Sequence, residues 1–419
     1  MATDSETGKL ATPSWRSPVA VIIAGCLISA IGFGIRSTFG IYLEPMTSDL
    51  GWTRETYAFA MALQNLFWGL VLPIAGGLAD KYGATRVIAL GAVVYALGVW
   101  GMSIADTGFM LSLTGGVLAG TGIALSAFTL AMAAMARVVS PQRRSLVFGL
   151  GTAAGSFGQV LFSPIAQNFV NQYGWSSTLV IFSLTALVLI PLAWLLPVDP
   201  SKSVEPTTDQ TLRAALQEAL QHRGYLLLTL GFFVCGFHVA FITVHFPAYI
   251  RDLGLDPIVG AYSLALIGLF NIVGSFGSGY IGQRHSKKQS LAAIYTLRAI
   301  VIALLLVLPK TALVIYVFAA VMGLLWLSTV PLTTGIVAQV FGVRYMATLF
   351  GIVFLSHQLG SFIGVWWGGR VYDQTGSYNP MWIAGIVLGL LAAVVHVYIN
   401  EKPLDRLAIL GRSKEAGAT

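Results

Sequence analysis

Twelve predominantly apolar runs, each about the 20 residues an α-helix needs to cross bilayer hydrocarbon, govern what this chain can fold into. They fall near 19–43, 56–79, 86–104, 109–136, 145–170, 176–196, 224–250, 258–282, 289–308, 312–337, 346–369 and 380–399. Their spacing predicts an all-α polytopic membrane protein with twelve transmembrane helices. Composition agrees: of 419 residues 56% are hydrophobic and 10% charged, well short of the quarter or so that a soluble surface carries. The net charge of +7 does not imply nucleic acid, because the basic residues sit in short loops between apolar runs. Cys26 and Cys235 lie inside such runs and form no disulfide framework. The 17 polar residues before the first run end in no small-residue cleavage site, so no removable signal is expected.

Lysines and arginines set the orientation. Alternate segments hold Lys9, Arg16, Lys81, Arg86, Arg137, Arg143, Arg144, Lys202, Arg213, Arg223, Arg284, Lys287, Lys288, Arg344, Lys402, Arg406, Arg412 and Lys414, while the opposite side has only Arg54, Arg251, Lys310 and Arg370. The positive-inside rule then places both termini in the cytoplasm.

The expected organisation is a tail at 1–18, six helices over 19–196, a cytoplasmic connection at 197–223, six helices over 224–399 and a tail from 400 to 419. The connection contains Pro197, Pro200 and Pro206, then an amphipathic helical pattern over 212–223. Two short matches relate the halves: Asp49-Leu50-Gly51 with Asp252-Leu253-Gly254, and Phe148-Gly149 with Phe350-Gly351. Both pairs sit at equivalent topological positions about 203 residues apart, the mark of two pseudo-symmetric, duplicated six-helix halves.

The loop after the second run, Gly76-Gly77-Leu78-Ala79-Asp80-Lys81-Tyr82-Gly83-Ala84-Thr85-Arg86, resembles the signature of the major facilitator superfamily, and the resemblance covers about 19–400. It implies that fold, a monomeric carrier, and a conformational latch built from Gly76, Asp80, Lys81, Gly83 and Arg86. Gly76 would allow close helix approach, Gly83 a tight turn, and Asp80 a pairing across the cytoplasmic side. The equivalent acid in the second half is replaced by Gln283. Within the superfamily the chain is similar to the bacterial monocarboxylate and oxalate/formate branch. Three stretches carry that likeness, Gly34-Ile35-Arg36-Ser37-Thr38-Phe39-Gly40-Ile41-Tyr42-Leu43-Glu44-Pro45-Met46, Gly51-Trp52-Thr53-Arg54 and Gly268-Leu269-Phe270-Asn271-Ile272-Val273-Gly274-Ser275. The likeness implies a bacterial cytoplasmic (inner) membrane location and a small organic anion as substrate. Where animal monocarboxylate transporters carry an acid and an arginine in the eighth helix, this chain has Asn271 and Ser275. The fifth run reads Gly155-Ser156-Phe157-Gly158-Gln159 and lacks the pattern of drug/proton antiporters.

Polar residues inside the runs carry any mechanism. Arg36 shares a helical face with Gly25, Ser29, Gly32 and Gly40. A guanidinium at membrane depth costs several kcal/mol unless it meets protein, water or an anion, so it faces a cavity or snorkels to the interface. Arg298, in the ninth run, is open to a structural pairing with backbone or to a ligand role. Candidate substrate contacts are Arg36, Tyr42, Gln64, Asn65, Gln159, His238, Asn271, Arg298, Trp326, His357 and Gln358. Asn271, on a stripe of small residues, should bond to a neighbouring helix. No Asp or Glu lies in the body of any run, which leaves His238 and His357, or the substrate's own carboxylate, as the proton-coupling group.

No phosphate-cradling loop, zinc-ligand pair or nucleophile–base pair is present, so no enzyme, cofactor or metal is expected. Two functions remain: uptake of a small organic anion, foremost a monocarboxylate with a proton, or export or facilitated passage of a neutral or amphipathic solute such as a heterocyclic nutrient or drug.

Overall fold

The computed structural model describes residues 17–140, 143–196, 211–342 and 345–404, without the side chains of Asp80, Arg144, Ser145 and Ala347. Most of both expected tails, the proline-rich part of the central connection, Arg344 and the Asp80 carboxylate therefore lie outside the described residues.

Helices Pro18–Leu50, Arg54–Ala79, Ala84–Ser103 and Gly108–Arg137 are the first four spans. Leu146–Trp194 runs for 49 residues. At about 1.5 Å per residue it exceeds twice the ~30 Å of hydrocarbon. Gly174, at φ 77° and ψ 168°, divides it into the fifth and sixth spans, in a conformation that glycine alone adopts readily. Arg223–Asp252, Pro257–Arg284, Lys287–Val307, Ala312–Phe341, Thr348–Thr375 and Asn379–Val397 complete the twelve. The amphipathic segment of the connection is helical over Leu212–Gln221, with Ala215 and Ala219 buried and the Thr211 hydroxyl accepting from the Ala214 amide at 3.2 Å.

The first span is longer than the expected 19–43. It breaks at Thr38, then continues as Phe39–Leu50. Polar residues end an apolar run without ending a helix, because Glu44 pairs with Arg251 and the Thr47 hydroxyl returns to the Leu43 carbonyl.

The spans alternate between a terminal face, where residues 18 and 397 lie, and a distal face. Left-handed glycines turn the chain on the distal face at Gly51, Gly174, Gly254 and Gly376. Gly51 matches Gly254, and Gly174 matches Gly376, at the offset that relates the halves. The fourth span is interrupted after Ser126 and the tenth around Trp326–Ser328. In both breaks a serine hydroxyl donates one turn back, Ser126 to the Gly122 carbonyl at 2.7 Å and Ser328 to that of Leu324 at 2.6 Å.

The halves meet along three pairs of spans, the second with the eleventh, the fifth with the eighth, and the first with the seventh. Toward the terminal face the second and eleventh spans part, and a Cβ at Gly76, Gly77 or Gly351 would meet no atom within 4 Å. The expected close approach at Gly76 is therefore not made in this conformation. Close approach occurs instead between the seventh and eleventh spans, where Gly236 lies against the His357 carbonyl and Gly360 against that of Phe233. Without a hydrophobic force between helices in lipid, such backbone proximity supplies much of the packing. Gly360→Ala should therefore lower the thermal midpoint of the purified protein by several degrees, since overpacking costs roughly 1–3 kcal/mol. Gly76→Ala should leave it nearly unchanged, and equal midpoints for the two variants would contradict the packing.

Candidate functional site

Arg36 lies just before the break in the first span, where the Ser37 and Thr38 hydroxyls return to the Gly34 and Ile35 carbonyls, each at 2.7 Å. Its guanidinium reaches the second span, with Nη2 donating to Asn65 Oδ1 at 2.8 Å. The Asn65 amide donates to the Met61 carbonyl at 2.9 Å, which turns its oxygen toward the arginine. The Trp68 ring lies 4.5 Å from the guanidinium carbon and the Phe33 ring 5.7 Å. Arg36 is only 9% exposed, and no ion pair reaches it among the described residues. Its charge is met by one amide oxygen and two aromatic faces.

The eleventh span closes the other side. Trp68 meets Phe354 edge-on at 5.4 Å, Phe354 stacks on His357 at 5.7 Å, and Gly69 lies 2.8 Å from the Gln358 side chain at its Cβ position. Gln358 Oε1 is bonded to His357 Nδ1 at 3.1 Å and accepts from the Ser361 hydroxyl at 3.3 Å. Three buried donors in this cluster have no acceptor, namely Arg36 Nε, Trp68 Nε1 and Gln358 Nε2. A buried unpaired donor costs about 1–3 kcal/mol. A cationic cluster rich in free donors, with no carboxylate among the described residues, fits a solute that brings acceptor atoms and negative charge.

The structure thus brings Arg36 together with Asn65 and Trp68, sets Gln358 against Gly69, and links His357 to Trp68 only through Phe354, its ring packing on Phe232 at 4.9 Å in the seventh span. The other candidates are placed elsewhere. Gln64 donates to the Gly115 carbonyl at 2.9 Å, and Gln159 to the Leu264 carbonyl at 2.7 Å across the halves. Asn271 bonds neighbouring helices as expected: its amide donates to the Ser156 hydroxyl at 2.9 Å, and its oxygen accepts the Leu327 amide at 2.9 Å. Tyr42, six residues beyond Arg36 on the same span, is buried against Phe39, ring centroids 6.5 Å apart, and its hydroxyl has no hydrogen-bond partner among the described residues. Arg298 is fully buried and donates to the carbonyls of Leu325 and Trp326, freed by the break in the tenth span. Trp326 thereby holds a backbone role. His238 Nε2 lies 2.8 Å from the Gly385 carbonyl, facing the ninth and twelfth spans and away from Arg36. Of the loop residues, Gly83 makes the expected turn at φ 88°, while Lys81 and Arg86 are exposed.

A second assembly closes the distal face. Arg54, first in the second span, donates both guanidinium nitrogens to Asp252 at the end of the seventh, at 2.7 and 2.6 Å, and lies 3.7 Å from the Tyr372 ring. Asp373 of the eleventh span accepts the Arg54 and Glu55 amides at 3.0 and 2.7 Å, placing a carboxylate at a helix amino end, where the dipole favours it. Glu44 with Arg251, and Glu55 with Arg370 at 3.8 Å, add ion pairs. Arg54 and Asp252 stand 198 residues apart, and the sequence signal that leads to them is the repeated Asp-Leu-Gly turn.

Twelve spans in two related halves, joined at the distal face and parted toward the terminal one, have counterparts of known class. The profile of the Major Facilitator Superfamily matches residues 22–365 and 278–416. The chain belongs to that superfamily. It is similar to rat monocarboxylate transporter 13, at 26% identity over 90% of this chain and 89% of the relative. It is similar as well to an uncharacterized transporter of the superfamily from Bacillus subtilis, YcxA, at 24% over 88% and 92%. Its fold matches a bacterial homologue of the human lysosomal transporter Spinster, solved in an inward-facing and occupied conformation. That match has a TM-score of 0.70 and 14% identity and covers 92% of this chain and 97% of the other. The protein is a multi-pass membrane transporter.

Asp252→Asn should weaken the bidentate pair by about 1–3 kcal/mol and expose distal cysteine reporters to impermeant thiol reagents. The double exchange Arg54→Asp with Asp252→Arg should restore protection. Unchanged labelling in Asp252→Asn would show that the pair does not hold the face shut.

Proposed function

We propose that the protein takes up a small monocarboxylate together with a proton, by alternating access, as a monomer. The observation that carries this reading is Arg36, buried beside Asn65 and Trp68 with a free Nε and no counter-charge among the described residues. A carboxylate offers two acceptors to the planar guanidinium and can take the idle donors of Trp68 and Gln358. It thus supplies acceptors for those donors. The name of the rat relative points to the same substrate class.

The lysine and arginine distribution makes the terminal face cytoplasmic, so both termini lie inside, in a bacterial inner membrane, and the described conformation faces inward. Residues 19–196 and 224–399 are the two moving halves. The remaining parts are the 197–223 connection and the tails 1–18 and 400–419. Asp80, Lys81 and Arg86 are the groups to latch the terminal side in the opposite state. His357, linked to Trp68 through Phe354, is the titratable group we assign to the proton. His238, turned toward the ninth and twelfth spans, is the weaker choice for proton coupling.

One observation favours a second reading: Phe33, Trp68 and Phe354 wall the cluster with rings, as suits a flat neutral or amphipathic solute moved by an exporter or facilitator. Uptake by reconstituted protein separates the two. Arg36→Lys retains charge but not the two-pronged fit, and should reduce carboxylate uptake at least tenfold at subsaturating substrate, a loss of about 1.4 kcal/mol. Arg36→Ala should abolish it. Uptake by Arg36→Ala at the wild-type rate rules out the anion reading.

A further inference from the structure

His245, in the distal part of the seventh span, is fully buried, and both ring nitrogens are engaged. Nε2 lies 2.7 Å from the Val365 carbonyl and Nδ1 2.9 Å from the Tyr378 hydroxyl. A carbonyl only accepts, so Nε2 bears the proton; in the neutral ring Nδ1 is then an acceptor, and Tyr378 donates to it. The same hydroxyl oxygen accepts from Arg54 Nη1 at 3.1 Å, and Arg54 is the residue that holds Asp252 across the halves. A directed chain thus runs from the closed distal gate to a histidine, through Arg54, Tyr378 and His245, ending on the backbone of the eleventh span.

This chain accepts one charge state of the histidine. A second proton, on Nδ1, would remove the acceptor for Tyr378. It would also aim two cationic donors, His245 and Arg54, at one hydroxyl oxygen. The titratable and charged groups around the ring are Tyr378, heading the twelfth span, and Arg54 of the second span beyond it. Farther along are Asp252 at the end of His245's own span, and Tyr372 and Asp373 on the eleventh. Among the described residues no carboxylate is bonded to the ring.

Opening the distal face withdraws Arg54, which belongs to the other half, and leaves Tyr378 and His245 together in theirs. The hydroxyl can then accept from a protonated Nδ1 and donate to water. We infer that His245 is a proton-binding site loaded from the distal side, filled when Arg54 leaves Tyr378 and emptied when the gate closes. Its ligand is the hydrogen ion alone. The inference deepens the proton-coupled reading proposed above, yet requires neither a carboxylate nor Arg36.

The sign follows from linkage. The open state binds the proton better, so the closed state's advantage is present at high pH. It is lost as pH falls below the open-state pKa, by up to about tenfold in the closed-to-open ratio per pH unit. The test is a substrate-free distance measurement by pulsed electron resonance on nanodisc-embedded protein. Spin labels go on Asp106→Cys and Leu308→Cys, both exposed on the distal face, with Cys26→Ser and Cys235→Ser. Between pH 8 and 5 the long-distance population should grow. His245→Gln, whose amide can replace both bonds but cannot take the proton, should remain closed throughout, and His245→Asn serves if that variant does not fold. Arg36→Ala should respond like wild type, so that failure of the anion reading leaves this result standing. A pH-independent wild type overturns the inference, as does a full response in a His245 variant or its loss in His357→Gln alone.

Discussion

A full positive charge in the hydrocarbon layer has to be met, and the ways it is met divide this molecule. Arg298 is met by the protein's own backbone. The tenth span breaks at Trp326–Ser328, and the carbonyls left without amide partners are taken by the guanidinium. Non-helical backbone at membrane depth is tolerated where protein satisfies it, and the arginine and the break stabilise each other. Arg36 is met only by an amide oxygen and aromatic faces. Arg298 is held by the scaffold's carbonyls with only Nη1 left over, whereas Arg36 stands between the halves with Nε left over and no backbone acceptor among the described residues.

That difference gains meaning from the arrangement of the halves. At mid-membrane they touch through Trp68 with Phe354 and Gly69 with Gln358. Toward the distal face, ion pairs and a capped helix end join them, and toward the terminal face the second and eleventh spans part around Gly76 and Gly351. The Arg36 cluster lies where one set of contacts gives way to the other. A solute binding there contacts both halves and can bias their relative position, which alternating access requires, because a ligand shifts an equilibrium only by its differential affinity for the two states.

The fold was largely legible because hydropathy and turn chemistry are local. Twelve runs became twelve spans, and Gly51 and Gly254, inside the repeated Asp-Leu-Gly, adopt matching left-handed turns. The first span was read short, since Glu44 and Thr47 look like a loop until their partners are known. Arg36 and Asn65 were legible as charged or amide groups where none is cheap. Trp68 and Phe354 were not, because aromatic residues are equally at home against lipid. Arg54 read as an outer-loop cation, and only the fold brings it to Asp252, Tyr378 and, through the latter, His245. The side His238 faces was not legible for a related reason: position along a span does not reveal which neighbour a ring meets, here the Gly385 carbonyl.

The central claim is that the free donors at Arg36 hold a carboxylate, and paired ligands that differ only in that group address it most directly. Thermal unfolding of the purified protein should be followed with small monocarboxylates and, separately, with their neutral amides. Ligands that bind only the folded state stabilise it by about 2.7 kcal/mol at a hundred times Kd. Wild-type protein should be stabilised by a carboxylate and not by its amide, and Arg36→Gln by neither. Equal stabilisation by acid and amide, or full stabilisation of Arg36→Gln by the acid, would contradict the assignment of Arg36 as the anion site.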